Sequence, residues 1–484
     1  MSNNICLKPN PQNSKPIEMT FKHQTAFALL TVFCLSSCRE VLQPKPIDIL
    51  ADQFVLARPA DVQTVRLGAY TAFRGIAAPK VIAGDFTADY MQFNGTFTDY
   101  QELGSKQLTA ANGVVEALWG SVFNTVYLCN FILEGLPKVP GVPEVQSKQV
   151  TAEAKFLRGL ANFIGATTFG GIPKVTTTNI DANKVAVRAS KEDILASALT
   201  DFQAALTDLP EGSPSDGRAV YAGYATKNAA RAALARYFLY QKDWVQAEKF
   251  ATDIIVGNRY ELVDYKLVVT KDFTNESIFE VGYTASDDPG TSSLGLNNLL
   301  VGRREVIPSN QLIAQLTTRD AGERQLTIAF NSNNQRGSDN GWTVQKYGTA
   351  DQDNNNIVIF RLAEMYLIRA EARAQQAKIT GTGGALADLN VLRTRAGKNI
   401  TVVAQKPSLV TSATQAEALS LIERERVYEL AFEGHRWYDL VRTARAQAVM
   451  SAFSPNWTAK FEIWPLPQSE FQRNPGLGTQ NPGY

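Results

Sequence analysis

The sequence predicts a mostly α-helical fold with a few short strands. Apolar residues recur at three- and four-residue spacing through much of the chain, and alanines cluster in helix–turn–helix units. By contrast, Ser277 to Thr284 (SIFEVGYT) alternates as a strand does. With 484 residues, 44% of them apolar, the chain can build at most about three average domains and a sizeable core. Its 48 basic and 47 acidic side chains leave a net charge of +1, without the basic excess of a nucleic-acid-binding surface. Histidine excludes more. Only His23 and His435 occur, so a His-rich metal site or a two-histidine helix motif cannot be built, and a Ser-His-Asp triad would depend on His435 alone.

From the N-terminus, Met19 offers a second start, and Lys22 with His23 forms a short basic stretch. Ala26 to Leu35 (AFALLTVFCL) is an apolar run about half the length that spans a bilayer, which makes it the core of a signal peptide. It ends at Leu35-Ser36-Ser37-Cys38, the pattern of a bacterial lipobox, in which a small residue precedes a cysteine that becomes the diacylated first residue. Residues 1–37 are therefore expected to be a signal peptide, Cys38 the lipidation site and membrane contact, and 38–50 a Pro-containing polar tether. Removing 1–37 takes three lysines and one glutamate, leaving 45 basic and 46 acidic groups, net −1. It also leaves Cys38 and Cys129 as the remaining cysteines, which cannot make a disulfide framework. Residues 51–484 are expected to form a single domain.

Within that domain, Trp119, Val122, Val126, Cys129 and Leu133 form a helical stripe, so Cys129 reads as a small buried hydrophobe. Ala154, Leu157, Ala161 and Ile164 make one stripe, and Phe156, Leu160 and Phe163 another; that helix is buried on two sides and stops at Gly170-Gly171-Ile172-Pro173. Ser190 with Asp193 caps a third helix carrying Leu195, Leu199, Phe202 and Leu206, which Pro210 ends. Thr226 opens a fourth, and a fifth follows from Trp244 to Val256. The length of 226–256 and its Ala, Tyr and Trp placement resemble a tetratricopeptide unit. Four such regions are expected, at about 116–169, 190–256, 361–397 and 415–447. Insertions at about 83–112 and 260–358 interrupt them, the second rich in Asn, Gly, Asp and Ser, and loops of that length are commonly functional.

Three motifs look like chemistry and are better read as structure. Glu425, Glu429 and Glu433 recur on one helical face, where carboxylates repel unless cations lie between them; a structural ion network is expected, with Arg436 pairing with Asp439 and His435 packed or hydrogen-bonded rather than acting as a base. Gly381-Thr382-Gly383-Gly384 follows a helix, not the strand a phosphate loop needs. Asp351, Asp353 and Asn355 begin like a calcium loop, but Asn356 stands where Gly is needed and Leu362 where Glu is. No Gly-x-Ser-x-Gly elbow is present, and no cofactor or metal is expected.

The chain resembles the SusD/RagB family of outer-membrane nutrient-binding lipoproteins of Bacteroidetes. The likeness begins at the lipobox and includes Ala152-Glu153-Ala154-Lys155-Phe156-Leu157-Arg158 leading to Phe169-Gly170-Gly171-Ile172-Pro173. It continues through Asn275-Glu276-Ser277-Ile278-Phe279-Glu280, Arg361-Leu362-Ala363-Glu364-Met365 and Arg393-Thr394-Arg395-Ala396-Gly397. Its strongest piece is Phe432-Glu433-Gly434-His435-Arg436-Trp437-Tyr438-Asp439-Leu440-Val441-Arg442, and it closes with Asn481-Pro482-Gly483-Tyr484. The resemblance implies four tetratricopeptide-type helix pairs supporting a loop-rich ligand face. It further implies a non-enzymatic protein that binds an oligosaccharide, or in some branches a peptide, and delivers it to a TonB-dependent transporter of the SusC type. The expected place is the outer membrane, lipid-anchored and facing outside. Family members often carry an acidic cluster just after the lipidated cysteine, whereas here only Glu40 is acidic just after Cys38.

A sugar ring has an apolar C–H face and a hydroxyl rim, so its site needs flat aromatic surface beside fixed polar partners. Two segments have that mixture: 85–100 (DFTADYMQFNGTFTDY) and the polar loop at 331–350. The expected ligand residues are Asp85, Tyr90, Phe93, Asn94 and Phe97 in the first, with Trp342 and Tyr347 in the second. Trp342 is the foremost platform, because its neighbours Ser338-Asp339-Asn340-Gly341 offer no core. A surface glycoside hydrolase using two carboxylates is the rival reading, since the chain is rich in acids.

Overall fold

Long amphipathic helices with defined caps set the architecture. A computed structural model describes residues 55–212, 222–283, 295–348 and 354–484. The expected signal peptide, Met19, the lipidation site Cys38, the tether, and Asp351 and Asp353 lie outside the described residues. In chain order the main helices among the described residues of the first half are α1 (Val62–Phe86), α2 (Thr98–Ser105), α3 (Gly113–Gly135), α4 (Glu144–Phe169), α5 (Lys191–Asp208), α6 (Lys227–Tyr240) and α7 (Trp244–Val256). Those of the second half are α8 (Tyr265–Thr270), α9 (Asn310–Leu316), α10 (Leu362–Gln375), α11 (Ala385–Ala396), α12 (Gln415–Glu429), α13 (Arg436–Arg442) and α14 (Ala446–Phe453).

Successive helices pack as neighbours: α3 on α4, α4 on α5, α6 on α7 and α10 on α11, while α7 also packs on α10 and α10 on α12. Alanine is the reason the α6–α7 pair fits closely. Ala229, Ala230, Ala232, Ala233 and Ala235 are buried, as are Ala247 and Ala251, and near the turn Phe238 of α6 stacks on Phe250 of α7 with centroids 5.7 Å apart. The caps are those the sequence carries. Ser190 Oγ accepts from the Asp193 N–H at 3.0 Å, and Thr226 Oγ1 from Ala229 at 3.1 Å; Thr414 and Glu417 form a reciprocal capping box. Each such cap is worth about 1 kcal/mol. At the C-terminus of α4, Gly170 has φ 74°, the positive value the sequence anticipates.

Among the described residues, three two-stranded antiparallel ladders decorate this stack: β1 (Met91–Phe93) with β3 (Val306–Pro308), β2 (Ser277–Val281) with β6 (Ile357–Arg361), and β4 (Ile328–Phe330) with β5 (Trp342–Val344). The alternating segment at 277 is thus a strand, but all five of its residues are buried, polar ones included. The insertion read as loop at 83–112 is largely ordered structure. α1 runs into it as far as Phe86, because Val81, Ile82, Ala83 and Phe86 are all core residues, and α2 occupies 98–105.

The charged motif folds as a buried network. Glu429 takes Arg361 at 2.7 Å, while Arg395 and Arg324 also bond to it. Arg361 further pairs with Glu433 at 2.9 Å and Glu276 at 2.7 Å, and Glu425 holds Arg393 at 3.0 Å. Burial alone would raise the Glu429 and Glu433 carboxyls, but the surrounding cations outweigh it and hold both below the usual range. One expected pairing is corrected. Arg436 pairs with Asp89 at 2.8 Å rather than with Asp439, which instead takes Arg426 at 2.7 Å and Arg442 at 2.8 Å. The partner from the end of α1 lay too far off in sequence to be seen. His435 is buried; burial first, then Lys80, Arg236 and further cations push its imidazole well below its ordinary value, so it stays neutral. Cys129 is buried and free. Among the described residues no helix is long and apolar enough to cross a membrane.

Candidate functional site

The β1–β3 ladder and the β4–β5 hairpin place two polar loops side by side. Asn94, just after β1, donates through Nδ2 to the Arg304 carbonyl and to Asp339 Oδ2, both at 3.0 Å. Asp339 in turn accepts from Arg304 Nε at 3.1 Å and Nη2 at 2.5 Å, and from the Gly341 N–H at 2.8 Å. Asn340 fixes the same loop: its Oδ1 accepts from the Trp342 N–H at 3.1 Å and its Nδ2 donates to the Pro308 carbonyl at 2.8 Å. The neighbour of Arg304 clamps the other loop. Glu305 Oε2 accepts from the backbone N–H groups of Thr96 at 2.5 Å and Phe97 at 2.9 Å, and its Oε1 from Arg303 Nε at 3.0 Å. Adjacent residues on one strand approach thus hold both loops.

Rings sit on this frame. Phe330 and Trp342 are opposite each other in the β4–β5 register, with centroids 5.5 Å apart and planes at 50°. Phe330 is 50% exposed and Trp342 half-buried, so the pair presents apolar surface to solvent. Gly341 is required beneath them: its φ is 83°, and a Cβ there would come within 2.7 Å of the Phe330 ring. In the other loop the Arg303 guanidinium lies 4.4 Å from the centre of the half-buried Phe97 ring. Gly95 is needed for a different reason, since a Cβ would collide with the Glu305 carboxylate that ties the loop down. Burial opposes ionisation of Glu305 and Asp339, yet N–H donors and arginines hold both carboxyls below their usual range. The surface therefore combines half-exposed rings with the oriented Asn94–Asp339–Arg304 cluster, while the Glu305 carboxylate that ties the loop down is buried.

The structure brings Trp342, Asn94, Phe97 and, at the end of β1, the half-buried Phe93 to this region. Three sequence-predicted ligand residues are elsewhere. Asp85 is fully buried in the last turn of α1, where it accepts from the backbone N–H groups of Gly434, His435 and Arg436 at 2.7 to 3.2 Å, capping α13. Tyr90 is buried against Arg436, whose guanidinium lies 5.5 Å from its ring centre. Tyr347 is buried at φ 65°, with its hydroxyl donating to the Phe432 carbonyl. Phe330, Arg303, Arg304 and Glu305 were not foreseen. Only the cross-strand partner of Trp342 left a trace, as an aromatic residue just before the polar loop. Among the described residues no group of three or more His, Cys, Asp or Glu side chains could hold a metal ion.

Comparison with known proteins agrees with this architecture. Residues 322–484 match the family model described as the SusD family, and residues 52–239 match a model described as "Starch-binding associating with outer membrane". A SusD-like protein of Formosa agariphila is 24% identical, covering 96% of this chain and 98% of its own. A laminarin-binding SusD-like protein of known structure superposes with a TM-score of 0.71 at 23% identity, over 88% of this chain and 100% of the other. Surface glycan-binding protein A from Bacteroides fluxus superposes with a TM-score of 0.73 at 23% identity, over the same shares. Family models thus match at both ends of the chain, the SusD family over residues 322–484 and a SusD-like one over residues 52–239, and the fold is that of SusD-like proteins.

Proposed function

We propose that this protein is a carbohydrate-binding surface protein of the outer membrane that captures an oligosaccharide and hands it to a TonB-dependent transporter. The observation that carries the reading is the Phe330–Trp342 pair beside the Asn94–Asp339–Arg304 cluster. Stacking on the rings supplies affinity, and the fixed donors and acceptors select hydroxyl geometry. The laminarin-binding and glycan-binding relatives favour a sugar over a peptide as ligand. Anchoring through Cys38 belongs to the same proposal, as does the SusC-type partner.

Binding without covalent chemistry is favoured over a glycoside hydrolase. A hydrolytic general acid needs a raised carboxyl pKa, whereas the carboxylates that hold the two loops, Glu305 and Asp339, are held low by arginines and N–H groups. Calorimetry of the protein against laminarin and starch oligosaccharides, with a peptide pool as comparison, tests the proposal. Heat from a glycan and none from peptides is expected. Silence with every glycan, or reducing-sugar release from a bound one, contradicts it.

A further inference from the structure

A second cavity differs in character from the aromatic surface and shares no lining residue with it. It lies among α10, α12, α13 and the turn that follows α13, with a volume of about 410 Å³. Four arginines line it, Arg426, Arg436, Arg442 and Arg445, against the three carboxylates of Glu371, Glu423 and Asp439. Leu419, Ile422 and Leu440 give it an apolar wall. Two of the arginines are fully engaged. Arg436 uses Nε and Nη2 on Asp89 at 2.8 and 3.0 Å and Nη1 on Glu423 at 3.3 Å. Arg442 places its Nη atoms on Glu371 at 2.5 and 2.8 Å and Nε on Asp439 at 2.8 Å.

The other two are not. Arg426, 5% exposed, donates through Nε to Asp439 at 2.7 Å, and its buried Nη1 has no partner. Arg445, 52% exposed, reaches Glu423 through Nε at 3.3 Å. The carboxylates at hand, Asp89 included, are already engaged by these four arginines. A planar guanidinium fork is matched best by a carboxylate, and Arg445 holds its fork half-exposed at the edge of the cavity. The volume lies within the range of small-molecule sites.

We propose that this cavity binds a small molecule carrying a carboxylate on a ring-sized body. The carboxylate is taken by Arg426 and Arg445, and the body lies on Leu419, Ile422 and Leu440. A sugar acid and a plain organic acid share this chemistry. The test titrates the full chain in detergent with D-glucuronate and with cyclohexanecarboxylate, each beside its neutral counterpart, D-glucose or cyclohexanemethanol. At least one acid is expected to bind at a single site, at least tenfold more tightly than its neutral counterpart; which acid does so names the source. Arg445→Glu and Ser420→Trp, both at exposed positions of the lining, should each weaken it at least tenfold. Trp342→Ala should leave it unchanged, which separates this site from the aromatic surface. No binding by either acid, equal binding of the neutral compounds, or indifference to both lining substitutions would overturn the proposal.

Discussion

Asn94 and Asp339, 245 residues apart in sequence, are joined by a 3.0 Å hydrogen bond that fixes the loop after β1 to the loop between β4 and β5. Asp339 is also the acceptor for Arg304, so the bond belongs to a charge-assisted cluster rather than an isolated pair. Asn94→Ala should therefore loosen both loops while leaving the helical core intact. The expected result is a melting temperature lowered by at most a few degrees, with glycan affinity reduced about tenfold, or ~1.4 kcal/mol. Unchanged affinity would mean that the loops are held without this link.

Gly341 supports the rings by lacking a side chain. Gly341→Ala places a methyl 2.7 Å from Phe330 at φ 83°, so the hairpin must shift. Reduced glycan binding with little change in global stability is expected, and titration beside a thermal melt separates the two.

Asp85 makes the opposite prediction. Its carboxylate satisfies three backbone N–H groups at the start of α13, each of which would cost about 1–3 kcal/mol if left buried and unpaired. Asp85→Ala should lower stability by several kcal/mol, while Asp85→Asn, which keeps an acceptor, should recover part of it. Denaturant unfolding measures both. If Asp85→Ala folds as stably as the parent chain, the capping role is wrong.

The buried network sets a pH dependence. Glu429 and Glu433 have folded-state pKa values below the ordinary carboxylate value, despite burial, because arginines and Lys346 surround them. A carboxyl with a depressed folded pKa stabilises the fold above its unfolded pKa, and that contribution disappears as pH falls. The contribution of these two carboxylates should therefore be constant above about pH 4.5 and be lost below it, each tenfold difference in proton affinity between the folded and unfolded chains being worth roughly 1.4 kcal/mol. A melting temperature that held constant from pH 6 to pH 3 would contradict this.

What was legible in the sequence was periodic or capped. The α4 stripes, the Ser190 and Thr226 caps and the Ala-rich α6–α7 pair all rest on local spacing, and they fold accordingly. Site residues were harder, because a ring in a polar segment gives no sign of which way it turns. Trp342 faces outward since β5 pairs it with Phe330, whereas Tyr347, a few residues on, turns inward to reach a carbonyl of the charged motif. Asp85 looked like a loop acid and is the terminal turn of a helix. Its three partners lie about 350 residues downstream. Nor could sequence give Arg436 its partner Asp89, because both residues have nearer ions of opposite charge.

The proposed capture of a sugar rests above all on the paired rings of the β4–β5 hairpin. Calorimetric titration of the parent chain, of Phe330→Ala/Trp342→Ala and of Tyr347→Phe with the oligosaccharide that binds most tightly tests it most directly. At least a hundredfold loss is expected for the double substitution, with its melting temperature preserved, and no loss for Tyr347→Phe beyond what destabilisation explains. Equal affinity in the parent chain and the ring-free hairpin would contradict it.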